Sequence, residues 1–184
     1  TIVFCRTKRA CQKTSDDLIE RGFRAATLHG DMGQAAREKA LNEFKGGKSD
    51  VLIATDVAAR GIDIDGITHV INYQCPEDEK TYVHRIGRTA RAGADGIALT
   101  FVDWDDLARW KMIDMALKLG LPEPVETYSS SEHLFEIMKI PAGSTGRMDK
   151  PRKAVPAREK SEKSEPAAPA RQKRERVRTK KFSS

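Results

Sequence analysis

The sequence has little with which to staple itself or hold a metal. Three cysteines occur in 184 residues, Cys5, Cys11 and Cys75, with no C-x-x-C spacing. That argues against a disulfide framework and against a thiolate zinc site. Four histidines, His29, His69, His84 and His133, form no H-x3-H pair. No apolar run approaches the roughly 18 residues that a membrane span needs, and no secretory leader opens the chain. A soluble, cytoplasmic protein is expected.

Hydrophobic residues are also scarce, at 39%, while 33% of the chain is charged. The charge is unevenly divided. Residues 1–140 hold 19 Lys+Arg against 22 Asp+Glu, a net of −3, and residues 141–184 hold 14 against 5, a net of +9. The overall +6 therefore belongs to the C-terminal stretch, which suits a polyanion such as nucleic acid. A membrane surface fits less well, because no apolar face accompanies the charge. Residues 142–184 are rich in Lys, Arg, Pro, Ala, Ser and Glu, with Phe182 as the single aromatic. Too little apolar surface is present to offset ordering entropy, so a disordered basic tail is expected there.

What remains is patterned. Thr1-Ile2-Val3-Phe4-Cys5 reads as a buried strand at the very start, which raises the expectation of further residues upstream. An amphipathic stretch from Lys8 to Glu20 follows. Next come strand-like Ala25–Leu28, a helical run from Gln34 to Phe44, and strand-like Val51–Ala54, His69–Asn72 and Ile97–Phe101. The strands are short, apolar and unalternating, and helical patterns separate several of them. This predicts an α/β fold, with a mostly parallel sheet buried on both faces. A last core helix is expected from about Asp103 to Leu119, with Trp104 and Trp110 as packing residues rather than base-stacking platforms. Gly120-Leu121-Pro122 ends it, and Ser129-x-x-Glu132 predicts a capped short helix packing back onto the domain.

In such sheets, functional residues collect beyond the carboxyl ends of the strands. Arg6-Thr7-Lys8, His29-Gly30-Asp31 and Thr55-Asp56 all sit there, although any strand must exit into something polar. The densest cluster is Tyr82-Val83-His84-Arg85-Ile86-Gly87-Arg88-Thr89-Ala90-Arg91-Ala92-Gly93. Three arginines at three-residue steps, interrupted by glycine, suit phosphate, since a guanidinium binds oxygens bidentately and stays charged. A solvated basic turn is the plainer alternative, but the surrounding 140 residues are net acidic. A second segment, Val51–Ile64, delivers the Thr55 hydroxyl, Arg60 and the Asp63 carboxylate into adjoining loops.

Together these strings resemble the C-terminal RecA-like domain of DEAD-box RNA helicases. Ile2-Val3-Phe4-Cys5-Arg6-Thr7-Lys8 resembles motif IV, and His29-Gly30-Asp31-Met32-x-Gln34-x-x-Arg37-Glu38 the Q-x-x-R element after it. Ala54–Asp63 resembles motif V, and His84–Arg91 motif VI. Four strings fall in order over residues 1 to about 120. Ala90 departs from the pattern, which usually has a second glycine there. The resemblance implies a RecA-like three-layer fold over residues 1–120, with 121–141 as a short packed extension and 142–184 as tail.

The resemblance also implies roles. Arg88 and Arg91 would be arginine fingers reaching the ATP γ-phosphate from across a cleft, with Gly61 and Asp63 also at the nucleotide, Asp63 on the ribose. Thr7, Gly30, Arg37 and Thr55 would contact the RNA backbone, with Gln34 supporting that surface. Arg60 and His84 would couple the domain to its partner. No G-x4-G-K-[S/T] loop and no Asp-Glu-Ala-Asp run occur in these residues. ATP hydrolysis with Mg²⁺ would therefore need an N-terminal RecA-like domain that supplies both. Two other readings remain: a non-catalytic RNA-binding regulatory module, and a DNA-translocating relative, whose motif V and VI strings would differ.

Overall fold

The structure, a computed structural model, describes residues 1–148 apart from Asp63 and Ala92. The basic stretch after Met148 lies outside the described residues. Strands and helices alternate: β1 (Ile2–Cys5), α1 (Lys8–Glu20), β2 (Ala25–Leu28), α2 (Gln34–Lys45), β3 (Val51–Thr55), α3 (Asp56–Ala59), β4 (His69–Asn72), α4 (Glu79–Ile86) and β5 (Ile97–Thr100). A 3₁₀ turn (Trp104–Asp106), α5 (Leu107–Leu117) and α6 (Glu132–Ile137) complete the described chain.

The described strands form one parallel sheet in the order β2-β3-β1-β4-β5. Its central strand β1 shows why the sequence does not alternate. Ile2 and Phe4 face one side, packing with Leu28, Leu52 and Val70 under Ala40, Leu41 and Phe44 of α2. Val3 and Cys5 face the other, with Ile53 under Ala10, Cys11 and Leu18 of α1. Both parities must be apolar because helices cover both faces. Ile2, Leu28, Leu52, Ile53 and Val70 are fully buried, each contributing about 1.5–3 kcal/mol of transfer free energy.

The C-terminal elements depart from expectation. The last helix starts at Leu107, after the 3₁₀ turn, and Asp103 caps that turn by accepting from the Trp104 N–H at 2.8 Å. Trp110 is 6% exposed and packs as expected, its indole N–H donating to the Leu121 carbonyl at 2.7 Å. Trp104 is 79% exposed and is not a packing residue. Trp104 opens the 3₁₀ turn, whereas Trp110 lies on α5 itself, so the two indoles do not share one helix face. The Ser129 capping box is not formed either. Ser131 is the N-cap of α6, without a capping bond, and its hydroxyl instead accepts from the Tyr128 N–H at 2.9 Å. No residue of α6 is buried. The chain then returns to the end of α1, where the Met148 N–H donates to the Arg21 carbonyl at 2.8 Å.

Candidate functional site

The sheet order places three of the expected site residues side by side. Thr7 follows β1, Gly30 follows β2, and Thr55 ends β3, which lies between them. With strands about 4.8 Å apart, the three form a line about 10 Å long at the carboxyl edge. Thr7 is the N-cap of α1, its hydroxyl oxygen accepting from the Ala10 N–H at 3.1 Å. A hydroxyl that accepts still has its proton to donate. Thr55 is the N-cap of α3, with no capping bond from its side chain. Lys8, the first residue of α1, and Asp31, in the loop after β2, meet in an exposed ion pair. Hydrogen bonding from Lys8 holds the Asp31 carboxyl below the usual carboxylate range.

Gln34 and Arg37 lie on α2 beside this line. The Gln34 amide donates to Glu38 at 2.8 Å, a contact within one helix that leaves the surface open. Arg37 reaches the Ala58 carbonyl of α3 at 3.5 Å, so the second and third expected motifs touch.

A second group gathers where α3 and α4 meet. Arg60, His84 and Arg88 line one cleft together with Asp56 and Arg85. The Arg88 guanidinium donates to the Ile62 carbonyl at 2.9 Å. That places it beside Gly61, whose φ of +75° needs a glycine and whose missing Cβ leaves open space. Arg91 lies beyond the end of α4, its Nε donating to the Gly87 carbonyl at 2.9 Å. Arg60, Gly61, His84 and Arg88 are thus brought together. Asp63, expected to join them, lies outside the described residues.

Arg85 has a role that spacing alone does not reveal. It is 1% exposed and donates to both Asp56 oxygens at 2.7 Å, to the Gln74 carbonyl at 2.9 Å and to Asn72 Oδ1 at 3.3 Å. Its charge stacks on Phe4, 5.2 Å from the ring centre. One side chain therefore joins α4 to the ends of β1, β3 and β4. The arginine ladder was visible in the sequence, but nothing in it marks the first rung as internal.

The loop after α4 is equally constrained. Thr89 is buried and donates to the Ile67 carbonyl at 2.5 Å. A Cβ on Gly96 would lie 2.2 Å from the Thr89 hydroxyl and 2.6 Å from the Ala90 nitrogen, so Gly96 permits the close approach. Ala90 takes a left-handed φ of +54°. The glycine that the resemblance led one to expect at that position is thereby explained, and Ala90 adopts the same backbone under strain. At the other end of α4, Asp78 caps the helix by accepting from the Thr81 N–H at 2.7 Å, and this bond lowers its carboxyl pKa. Tyr82 packs edge-on against Trp110 at 5.8 Å, seating α4 on α5.

Among the described residues no group of three or more His, Cys, Asp or Glu is placed to hold a metal ion. No described helix is long and apolar enough to cross a membrane.

Comparison with known proteins agrees with this geometry. The family described as helicase conserved C-terminal domain matches residues 1–93. The chain is 52% identical over 117 residues to the ATP-dependent RNA helicase CshA of Listeria monocytogenes, covering 64% of this chain and 22% of that protein. It is 58% identical over 102 residues to CshA of Limosilactobacillus reuteri, covering 55% and 20%. It thus spans about a fifth of the length of these relatives. Among solved structures, Escherichia coli DEAD-box protein SrmB, bound to the regulator of ribonuclease activity A, superposes with a TM-score of 0.61 at 36% identity. That match covers 71% of this chain and 81% of that one. A DEAD box protein of Methanococcus jannaschii gives 0.61 at 43% identity, over 64% of this chain and 32% of that one. The all-parallel sheet, the helices on both its faces and the ordered motifs agree with these likenesses: the chain belongs to the helicase conserved C-terminal domain family, as a RecA-like C-terminal domain of the DEAD-box type.

Proposed function

We propose that this chain is the C-terminal half of an ATP-dependent RNA helicase motor. It closes with an N-terminal RecA-like domain over ATP and RNA and remodels short RNA duplexes. The observation that carries the reading is the position of Arg88, lining a cleft with Arg60 and His84 and next to the open backbone of Gly61. A guanidinium held by a carbonyl can exchange that partner for a phosphate oxygen, which binds it more strongly.

On this reading Arg88 and Arg91 act on ATP bound mainly by the other domain, stabilising charge that develops on the transferred phosphoryl group. Fingers of this kind contribute on the order of 10³–10⁵ in rate. Gly61 lets the chain approach the nucleotide, Asp63 receives the ribose hydroxyls, and Arg60 and His84 meet the partner domain. Thr7, Gly30, Thr55 and Arg37, with Gln34 in support, hold the RNA backbone. Such contacts position a strand without reading its sequence. Mg²⁺ would be held mainly by the N-terminal domain. Residues 1–120 form the motor domain, 121–141 a short extension whose helix α6 buries no residue, and 142–184 a basic tail that tethers RNA; the protein works in the cytoplasm.

The test is turnover. This chain alone is expected to show no RNA-stimulated ATP hydrolysis above background, because it contributes half of the nucleotide site. Fused to or mixed with the N-terminal domain of a CshA relative, it is expected to restore RNA-dependent hydrolysis. Turnover by the purified chain alone, surviving removal of contaminating ATPases, would overturn the half-motor reading.

A further inference from the structure

We propose that Lys8 is an additional RNA-phosphate ligand, held in reserve by Asp31 until a phosphate displaces the carboxylate. This rests on the RNA reading of the carboxyl edge and adds to it a residue pair outside the expected contact set.

The geometry begins with sheet order. β1 and β2 are not neighbours, since β3 runs between them. Lys8 follows β1 and Asp31 follows β2, yet Lys8 Nζ lies 2.5 Å from Asp31 Oδ2. The pair therefore spans the end of β3, where Thr55 sits. Lys8 adjoins Thr7 and Asp31 adjoins Gly30, so the bridge runs beside the line of three phosphate-contacting positions.

The chemistry of the pair favours exchange. Both side chains are exposed, at 63% and 60%, and exposed ion pairs are weak because water and salt screen them. The bond therefore does little to hold the start of α1 to the loop after β2 and is readily traded. A phosphodiester arriving at Thr7 and Gly30 meets one cation and one anion at close range. Asp31 is repelled, while Lys8 keeps a charge-assisted hydrogen bond by passing from carboxylate to phosphate. Asp31 is a carboxylate at any physiological pH, and its ion pair with Lys8 masks the ammonium whenever RNA is absent. The mask discriminates against small anions, because one inorganic phosphate cannot engage Thr7, Gly30 and Lys8 together as a strand can.

The experiment titrates fluorescent ten-nucleotide oligouridine against the 184-residue chain at several salt concentrations. Asp31→Asn, Lys8→Gln and the double variant are compared with the unaltered protein. Asp31→Asn is expected to tighten binding at low salt by about two- to fivefold, the scale of one exposed ion pair. Lys8→Gln is expected to weaken binding and to make the slope of log K against log salt shallower by about 0.7, one phosphate contact on a single strand. In the double variant the gain from Asp31→Asn should disappear. Amide shifts of Thr7 and Gly30 during the titration show whether the oligonucleotide reaches this edge.

The outcomes separate the two claims. If those amides shift but Asp31→Asn binds no tighter than the unaltered protein, the masking proposal is overturned and the RNA reading stands. The same holds if the gain survives in the double variant, since the effect would then be bulk charge. If the amides do not shift at all, the RNA reading of the edge fails and the proposal fails with it. Matching thermal unfolding of all four proteins ensures that a folding defect is not read as a binding change.

Discussion

Arg85 and Asp56 are joined by two parallel hydrogen bonds of 2.7 Å, between a guanidinium that is 1% exposed and a carboxylate that is 31% exposed. The pair fastens the helix carrying His84 and leading to Arg88 onto the strand end carrying Thr55. Two sites proposed to serve different ligands, ATP and RNA, thus share one rigid joint.

Breaking that joint is expected to be costly. Removing one partner of a buried ion pair leaves the other without compensation, at about 3–5 kcal/mol. Asp56 can recover some hydration here, so Arg85→Ala should cost about 2–4 kcal/mol. Arg85→Lys should rescue little, because an ammonium cannot reach Asp56, Gln74 and Asn72 in the same plane. Urea unfolding of the three proteins checks this. A midpoint for Arg85→Lys equal to that of the unaltered protein would refute the planar-joint account.

Ala90 offers the opposite sign. Its φ of +54° costs an L-residue about 1–2 kcal/mol, and glycine relieves that while losing about 0.5–1 kcal/mol in backbone freedom. Ala90→Gly should therefore stabilise the chain by about 0.5–1 kcal/mol, a rise of roughly 1–4 °C in Tm. Calorimetry on the two proteins decides it, and a lower Tm for the glycine variant would contradict the strain. Gly96→Ala should do the reverse and strongly, since its Cβ would collide with the Thr89 hydroxyl and the Ala90 backbone.

Acid stability contains a readable contribution from Asp78. Its carboxylate accepts the Thr81 N–H at the N-terminus of α4, and that bond depresses its pKa below the usual value. A depressed folded-state pKa means stability that is full above the unfolded pKa, near 3.9. It is lost as pH falls through the lower, folded value. Asp78→Ala should cost about 0.5–2 kcal/mol at pH 7, with the difference shrinking below about pH 4. Asp78→Asn keeps the cap without the titration, so it should match the parent at pH 7 and lose less stability in acid. Parallel acid-unfolding curves for parent and Asn variant would remove Asp78 from the account.

Much of this was legible beforehand, for a physical reason. β1 to β4 and α1 follow local rules, apolar continuity for a buried strand and a 3.6-residue period for a helix, so Ile2–Cys5, Lys8–Glu20 and His69–Asn72 fall where their pattern places them. What was not legible depends on pairing across the chain. Arg85 looks like its neighbours Arg88 and Arg91, and only the meeting of α4 with β3 and β4 buries it. Gly96 carries no local signal, because its constraint comes from Thr89 across a loop. Trp104 misled because an apolar side chain near a helix start reads as core, whereas the 3₁₀ turn points it outward.

Arg88 and Arg37 allow the two halves of the proposed site to be separated within one assembled protein. In the chain joined to an N-terminal domain, Arg88→Ala should remove charge stabilisation that develops only in the transition state. Turnover should then fall by orders of magnitude while RNA binding weakens little. The side chain gives up one part-buried hydrogen bond, to the Ile62 carbonyl, and thermal unfolding of the variant checks that the fold survives. Arg37→Ala should show the opposite order. It loses a contact to the Ala58 carbonyl and a proposed phosphate ligand, so RNA affinity drops first and turnover recovers at saturating RNA. Steady-state hydrolysis measured against RNA concentration gives both numbers for each variant. If Arg88→Ala keeps kcat within about twofold, far below the effect of a finger, the arginine works through structure, and the cleft at Arg60 and His84 needs another occupant.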